Sequence, residues 1–322
     1  MKYIAALFGL ALCAGAPVSA QDAAKLPLVG VLRINTPDTV EPMATQFRAA
    51  LAALGRVDGR NIRIEYRLAE GRVERFPELA RALVADKARV IVALGDPAIR
   101  AAQQATHSIP IVAMADDLVA SGLITTLARP GGNTTGISIL ATELDAKKLE
   151  ILKKIIPAAR RFGVLSDPAN TVPARMRAII DRARVLGVEL QTVEVRDPAE
   201  ITPAFASFRA GGVEAIDILA SPLLMGLREK VGQLSLSDRL PAICQFRQMV
   251  EAGCLASYGI KLSEAYALVA AVTDKMLKGA PPGDTAAEQP TRIELVINQR
   301  VARAIGIEIP AAILDGADEV IE

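Results

Sequence analysis

Four loops in this chain place a short polar residue directly before a proline, each behind an apolar, β-branched run. They are Asn35-Thr36-Pro37, Gly95-Asp96-Pro97, Ser166-Asp167-Pro168-Ala169-Asn170 and Ser221-Pro222. Thr, Asp and Ser are good helix N-caps, and Pro suits the first helical position. A helix that starts there turns its free N–H groups toward the space beyond the strand, where they can hold a carboxylate or another polar group. In open α/β sheets that space, outside the carboxyl ends of the strands, is where ligands bind. The candidate binding residues are therefore Asn35, Thr36, Gly95, Asp96, Pro97, Asp167, Asn170, Ser221 and Pro222. Simple capping is the competing role for the same residues.

Other chemistry is thin. Asp116-Asp117 is a tight acidic pair near a predicted strand end. It reads as a solvated loop, and the alternative, a cation or amine contact, adds Asp117 to the candidates. The single histidine, His107, follows an apparent helix end and reads as a surface residue. Walker and GxSxG motifs are absent, as is GxGxxG behind a predicted strand. No His, Cys or carboxylate cluster has metal-ligand spacing. No catalytic residue, metal or cofactor is assigned. The chain has no tryptophan, and Tyr and Phe number 4 and 7. A deep sugar cradle, which stacks rings on aromatic faces, therefore fits less well than a small polar or amphiphilic solute.

Apolar runs that alternate with amphipathic stretches must position these loops. Leu28 to Ile34 reads as a buried strand and Glu41 to Leu54 as a helix closed by Gly55. Asn61 to Arg67 and Arg89 to Leu94 read as strands flanking a helix over Phe76 to Ala85. Pro97 to Ala105 is a helix ahead of a short strand at Ile109 to Met114. This βα rhythm predicts parallel sheets with helices on both faces. After the turn cluster Ala128-Arg129-Pro130-Gly131-Gly132-Asn133 the rhythm starts again. The stretch from Asn61 to Pro97 resembles the one from Val188 to Pro222: alternating strand, polar turn, helix, buried strand, then a small or polar residue before proline. A duplicated lobe is expected.

Bulk properties agree with two lobes. Lys2, the apolar run Tyr3 to Leu12 and Val18-Ser19-Ala20 read as a signal peptide over residues 1–20, its apolar core too short to span a bilayer, which needs about 20 apolar residues. Cys13 raises a lipoprotein as the alternative, although Leu12 is large for the position before a lipidated cysteine. Cleavage after Ala20 leaves about 300 residues, more than one core usually supports. Basic and acidic side chains number 37 and 36, with no basic stripe for nucleic acid and no polybasic membrane patch. Export permits a disulfide between Cys244 and Cys254, but both read as buried free thiols.

Six stretches together carry a resemblance: FRAALAALGRVDGRNIRIEYRLAEGRVERFPELARALV, LARPGGNTTGIS, DPAN, FRQMVEAGCLASYG, EQPTRIELVINQRVARAIGIEIP and the closing ADEVIE. In this order they resemble the large family of ABC-transporter substrate-binding proteins of the type I periplasmic fold whose assigned members take aromatic amino acids. The resemblance implies an α/β fold of two doubly wound parallel-sheet lobes joined by a three-crossing hinge. The N-terminal lobe would comprise residues 25–139 and 261–289, the C-terminal lobe 140–260 and 290–322. It also implies Phe246 at the site, a small-molecule ligand, an ABC permease as partner, a monomer and a periplasmic location. A sensor feeding a membrane signalling partner and an enzyme using the cleft are the alternatives. A DNA-binding regulator of this fold would carry a helix-turn-helix where the leader stands. Two departures bear on the ligand. Asp96 replaces the threonine usual in relatives, which would repel a carboxylate and welcome an amine. Asn35-Thr36-Pro37 lacks their serine-rich character.

Overall fold

The computed structural model describes residues 26–139 and 141–322. The leader at 1–20, with Cys13, lies outside the described residues. The first half runs β1 (Leu28–Arg33), α1 (Pro37–Ala53), β2 (Arg63–Leu68), α2 (Phe76–Ala85), β3 (Val90–Leu94), α3 (Asp96–Ala105), β4 (Ile111–Ala115) and β5 (Thr134–Ser138). Its five strands lie in the order β2-β1-β3-β4-β5, all parallel. The central strands β1 and β3 are buried along their whole length, which is why they are apolar on both faces; the edge strand β2 is half-buried and alternates.

The second half continues with α4 (Ala141–Ile155), β6 (Arg161–Ser166), α5 (Pro173–Leu186), β7 (Glu189–Glu194), α6 (Ile201–Ala210), β8 (Ala215–Ile218), α7 (Pro222–Gly226) and α8 (Arg228–Ser237). There follow β9 (Ala242–Cys244), α9 (Arg247–Glu251), β10 (Ala256–Ile260), α10 (Leu262–Leu277), β11 (Ile293–Asn298), α11 (Gln299–Ile305), α12 (Ala311–Leu314) and β12 (Glu319–Ile321). Seven strands order as β12-β11-β10-β9-β8-β6-β7. Helix α10 leaves this sheet and packs on α1 and against β3, β4 and β5 of the first. The chain thus crosses between lobes three times: from β5 to α4, from β10 to α10, and on the way into β11.

The third crossing accounts for one departure from an all-parallel fold. β10 and β11 pair antiparallel. β10 leaves the second lobe toward the first and β11 re-enters from it, so neighbours that share the hinge side must run in opposite directions. The two similar stretches of sequence do occupy equivalent places. β2 and β3 flank β1 as β7 and β8 flank β6, and a 3-10 turn precedes the helix in each, at Val73–Arg75 and Pro198–Glu200.

Local starts differ from expectation where caps decide. α1 begins at Pro37 rather than Glu41: Thr36 is its N-cap, and the Thr36 backbone N–H donates to Thr39 Oγ1 at 3.2 Å. One apolar cluster runs from the N-lobe sheet into the C-lobe through Leu165, Ile218 and Phe246, and a second fills the other C-lobe face around Leu152, Phe162 and Ile179. Cys244 and Cys254 are buried free thiols.

Candidate functional site

Strand ends from both sheets converge on one pocket. The N-lobe supplies Arg33 at the end of β1, Leu94 at the end of β3 with Gly95 behind it, and Met114 near the end of β4 with Asp116 behind it. The C-lobe supplies Asn170, Ser221, Pro222, Met225 and Phe246. Met43 from α1 and Leu262 and Tyr266 from α10 close the back. The pocket contains about 550 Å3 of empty space, part of it open to solvent. Its walls are mostly apolar, and three of the side chains are methionines, which adapt their shape to a bound surface.

Close contacts hold the lobes together around it. Asn170 Oδ1 accepts the Asp96 backbone N–H at 3.0 Å, while its Nδ2 donates to Asp167 Oδ2 at 2.7 Å. Gly95 faces this bond with φ +87, and a Cβ there would stand 2.7 Å from Asn170 Oδ1 and 3.0 Å from Pro222 Cγ. Only glycine gives both that backbone and that clearance. On the hinge side, Asp116 takes the Thr142 backbone N–H at 3.1 Å and its hydroxyl at 3.3 Å, and pairs with Arg175 Nη1 at 3.2 Å.

Behind Asp116 runs a buried ionic chain. Arg175 Nε bonds Asp145 Oδ2 at 2.5 Å, and Lys148 Nζ lies 3.0 Å from Asp145 Oδ1 and 2.6 Å from Asp217 Oδ1. Arg175, Lys148, Asp145 and Asp217 have no exposed side-chain surface. Three carboxylates (Asp116, Asp145, Asp217) face two cations (Lys148, Arg175), so one negative charge is in excess. Burial, aided by the Asp145 charge and opposed by Arg175, pushes Asp116 up to about 6. Burial and Asp145 raise Asp217 to about 6 against the pull of Lys148. Burial would raise Asp145 too, but Arg175 and Lys148 on either side bring it below its ordinary value. Burial would pull Lys148 down, yet Asp145 and Asp217 hold it up.

Gly95, Asn170, Ser221, Pro222 and Phe246 thus line the pocket; the other candidates stand around it. Ser221 also caps α7, its Oγ accepting the Leu224 N–H at 3.0 Å. Asp96 is no cap. Gly95 takes the N-cap position, and the Asp96 carboxylate lies inside the first turn of α3 beside Ser121 and Arg100, its pKa raised chiefly by burial. Pro97 is the second residue of that helix. Asp167 does not cap α5 either: its Oδ1 accepts the Ala169 N–H at 3.0 Å, closing a turn, and the helix begins only at Pro173. Thr36 caps α1. Asn35 is buried at the end of β1, its Oδ1 accepting Arg33 Nε at 3.0 Å. Of the acidic pair Asp116 lines the pocket, while Asp117 accepts the N–H groups of Val119 and Ala120. His107 is exposed.

The sequence reading missed Arg33, Asp145, Lys148, Arg175 and Asp217. A signal existed: each is a charge set on an otherwise apolar face, as Asp217 is in the strand Ala215–Ile218 and Lys148 among Leu144, Ile151 and Leu152 of α4.

Residues 29–321 match the family described as ABC transporter substrate binding protein. The chain belongs to that family. This substrate-binding protein is 25% identical over 289 residues to a tyrosine-binding protein of Clostridioides difficile (strain R20291), covering 89% of this chain and 83% of the relative. Among solved structures it resembles a conserved domain protein of Vibrio cholerae (26% identity, TM-score 0.83, 91% of this chain and 99% of that one). It also resembles the ABC domain from Streptococcus pneumonia in complex with L-Trp (25%, TM-score 0.81, 92% and 100%). A ligand-free, open structure of a substrate-binding protein with adhesive properties from Clostridium difficile aligns at the same identity, over 92% and 99%, with a TM-score of 0.61.

Proposed function

We propose that this substrate-binding protein is the periplasmic solute receptor of an ABC importer, and that it captures a small solute of the amino-acid or aromatic and organic acid class between its lobes. The observation that carries the reading is the pocket itself: apolar walls from both lobes, meeting at strand ends, with the carboxylate of Asp116 in the wall. An aromatic or aliphatic side chain suits the methionines and Phe246, and an ammonium suits Asp116, whose ionic chain carries one negative charge too many. The tyrosine-binding relative and the L-Trp complex support that class. At equal identity the chain superposes better on the L-Trp complex than on the ligand-free, open structure, which supports lobes that close by hinge rotation. The protein acts as a monomer, handing its solute to a permease in the inner membrane, and has no catalytic role.

A thermal-shift screen of the purified protein tests this. L-Tyr, L-Trp, L-Phe, arylpropionates and small sugars are the probes. A solute that binds the native state alone stabilises it by RT ln(1 + [L]/Kd), about 2.7 kcal/mol at a hundredfold excess over Kd. Aromatic amino acids or acids are expected to raise Tm. A rise with sugars alone would move the protein to a different solute class.

A further inference from the structure

Arg33 ends a strand whose other side chains are all apolar, and it is only 3% exposed. Its Nε is spent on Asn35 Oδ1, and its Nη2 lies 3.0 Å from the Met43 sulfur, a weak acceptor. The guanidinium sits 6.0 Å from the centroid of the Tyr266 ring. No carboxylate pairs with it among the described residues. The small cavity behind it, lined by Val31, Phe47, Tyr66, Val92 and Val269 among others, contains no acidic side chain. In the main pocket the acidic lining residue is Asp116, already bonded to Arg175 and Thr142. A buried charge is normally paired, because an unpaired one forfeits its hydration without return. A ring face compensates only part of that loss.

We propose that Arg33 is the anion anchor of the site and selects solutes that carry a carboxylate. This rests on the solute-binding reading above and adds the residue that sets specificity. Guanidinium matches carboxylate geometry with paired donors, and the bond from Nε to Asn35 fixes its orientation. The pocket wall is then polarised: an unpaired cation at the end of β1 and, after β4, Asp116, the pocket end of an ionic chain that carries one negative charge more than it has cations. Only β3 lies between these strands, so their ends stand roughly 10 Å apart. That span accommodates one solute with a carboxylate and a neighbouring ammonium, each at hydrogen-bond distance from its partner, and its apolar body against the methionines.

The test compares wild type with Arg33→Gln and Arg33→Met by calorimetry and thermal shift. The probes are L-Phe, L-Tyr and L-Trp, the arylpropionates that lack the amine, and phenethylamine, tyramine and tryptamine, which lack the carboxylate. Wild type is expected to prefer carboxylate-bearing probes, and Arg33→Gln to weaken them by about 10- to 100-fold, the range of a lost charge-assisted hydrogen bond. The amines, having nothing to lose at Arg33, should bind wild type and variant alike. In addition, Arg33→Met should melt higher than wild type in the absence of any probe, since it removes an uncompensated buried charge. If the acids bind Arg33→Gln as tightly as wild type, or the amines bind wild type as tightly as the parent amino acids, the anchor falls and the solute-binding reading stands. If none of these probes shifts the wild-type protein, the anchor falls and with it the aromatic and amino-acid solute class.

Discussion

Asp116 and Lys148 belong to one ionic chain, yet their removal should have opposite effects. Lys148 lies between Asp145 and Asp217, and Lys148→Met would leave the buried Asp217 without its cation and Asp145 with Arg175 alone. Breaking a buried pair in this way typically costs about 3–5 kcal/mol, so the urea midpoint should fall steeply; a loss below about 1 kcal/mol would show that the chain is not tightly paired. Asp116→Asn instead removes the excess charge and leaves two carboxylates against two cations. The folded value of Asp116, about 6, lies above the ordinary 3.8, so its ionisation works against the fold. Its contribution is fully present below about pH 4 and is lost as pH rises through about 6. Asp116→Asn should therefore gain stability relative to wild type between those limits, read from urea melts at both ends. A constant difference across that range would refute the assignment. The same titration predicts that affinity for ammonium-bearing solutes weakens as pH falls below about 6, when a proton replaces the ammonium, and calorimetry at two pH values reads it directly.

At the scale of elements, the joint between β3 and α3 governs closure. Gly95 combines φ +87 with a clearance that the C-lobe residues Asn170 and Pro222 leave to no other side chain. Gly95→Ala introduces backbone strain of about 1–3 kcal/mol in the folded protein, which the unfolded chain does not carry. The clash with Asn170 acts only when the lobes are together. The variant should melt somewhat lower without solute and also lose affinity, because the methyl group props the cleft. Melting and calorimetry separate the two effects: a lower Tm with unchanged affinity would mean that the lobes close without passing Gly95. The α7 cap offers a contrast. Ser221→Ala forfeits the bond to Leu224 and about 1 kcal/mol of stability, with no change in the backbone of the pocket.

For the molecule as a whole, two sheets joined by three thin crossings make rigid-body closure the expected motion. Small-angle scattering should show a smaller radius of gyration at saturating solute; an unchanged profile argues for a rigid cleft. Export belongs to this scale as well. Protein recovered from periplasm should begin at Gln21 by intact mass, and a retained Met1 or a lipidated Cys13 would overturn the leader reading.

Much of this architecture was legible in the chain. The alternation of apolar runs with amphipathic stretches dictates βα units, since strand and helix periods are local properties of a dozen residues. The likeness of Asn61–Pro97 to Val188–Pro222 gave two equivalent lobes, and Thr36 and Ser221 were readable as caps because a cap acts on its own next turn. What the chain could not show was which distant residues meet. Gly95, not Asp96, holds the cap position, and it is Asn170, far along the chain, that leaves no room for a side chain there. The ionic chain is assembled from the β4 end, α4, α5 and β8, and burial alone says nothing of such partners. Arg33 looked like one more residue of a buried strand until the pocket formed around it with no carboxylate paired to it among the described residues. Periodicity reports which face a residue occupies; only the packing of strands from different parts of the chain decides what stands opposite, and charge pairing is settled there.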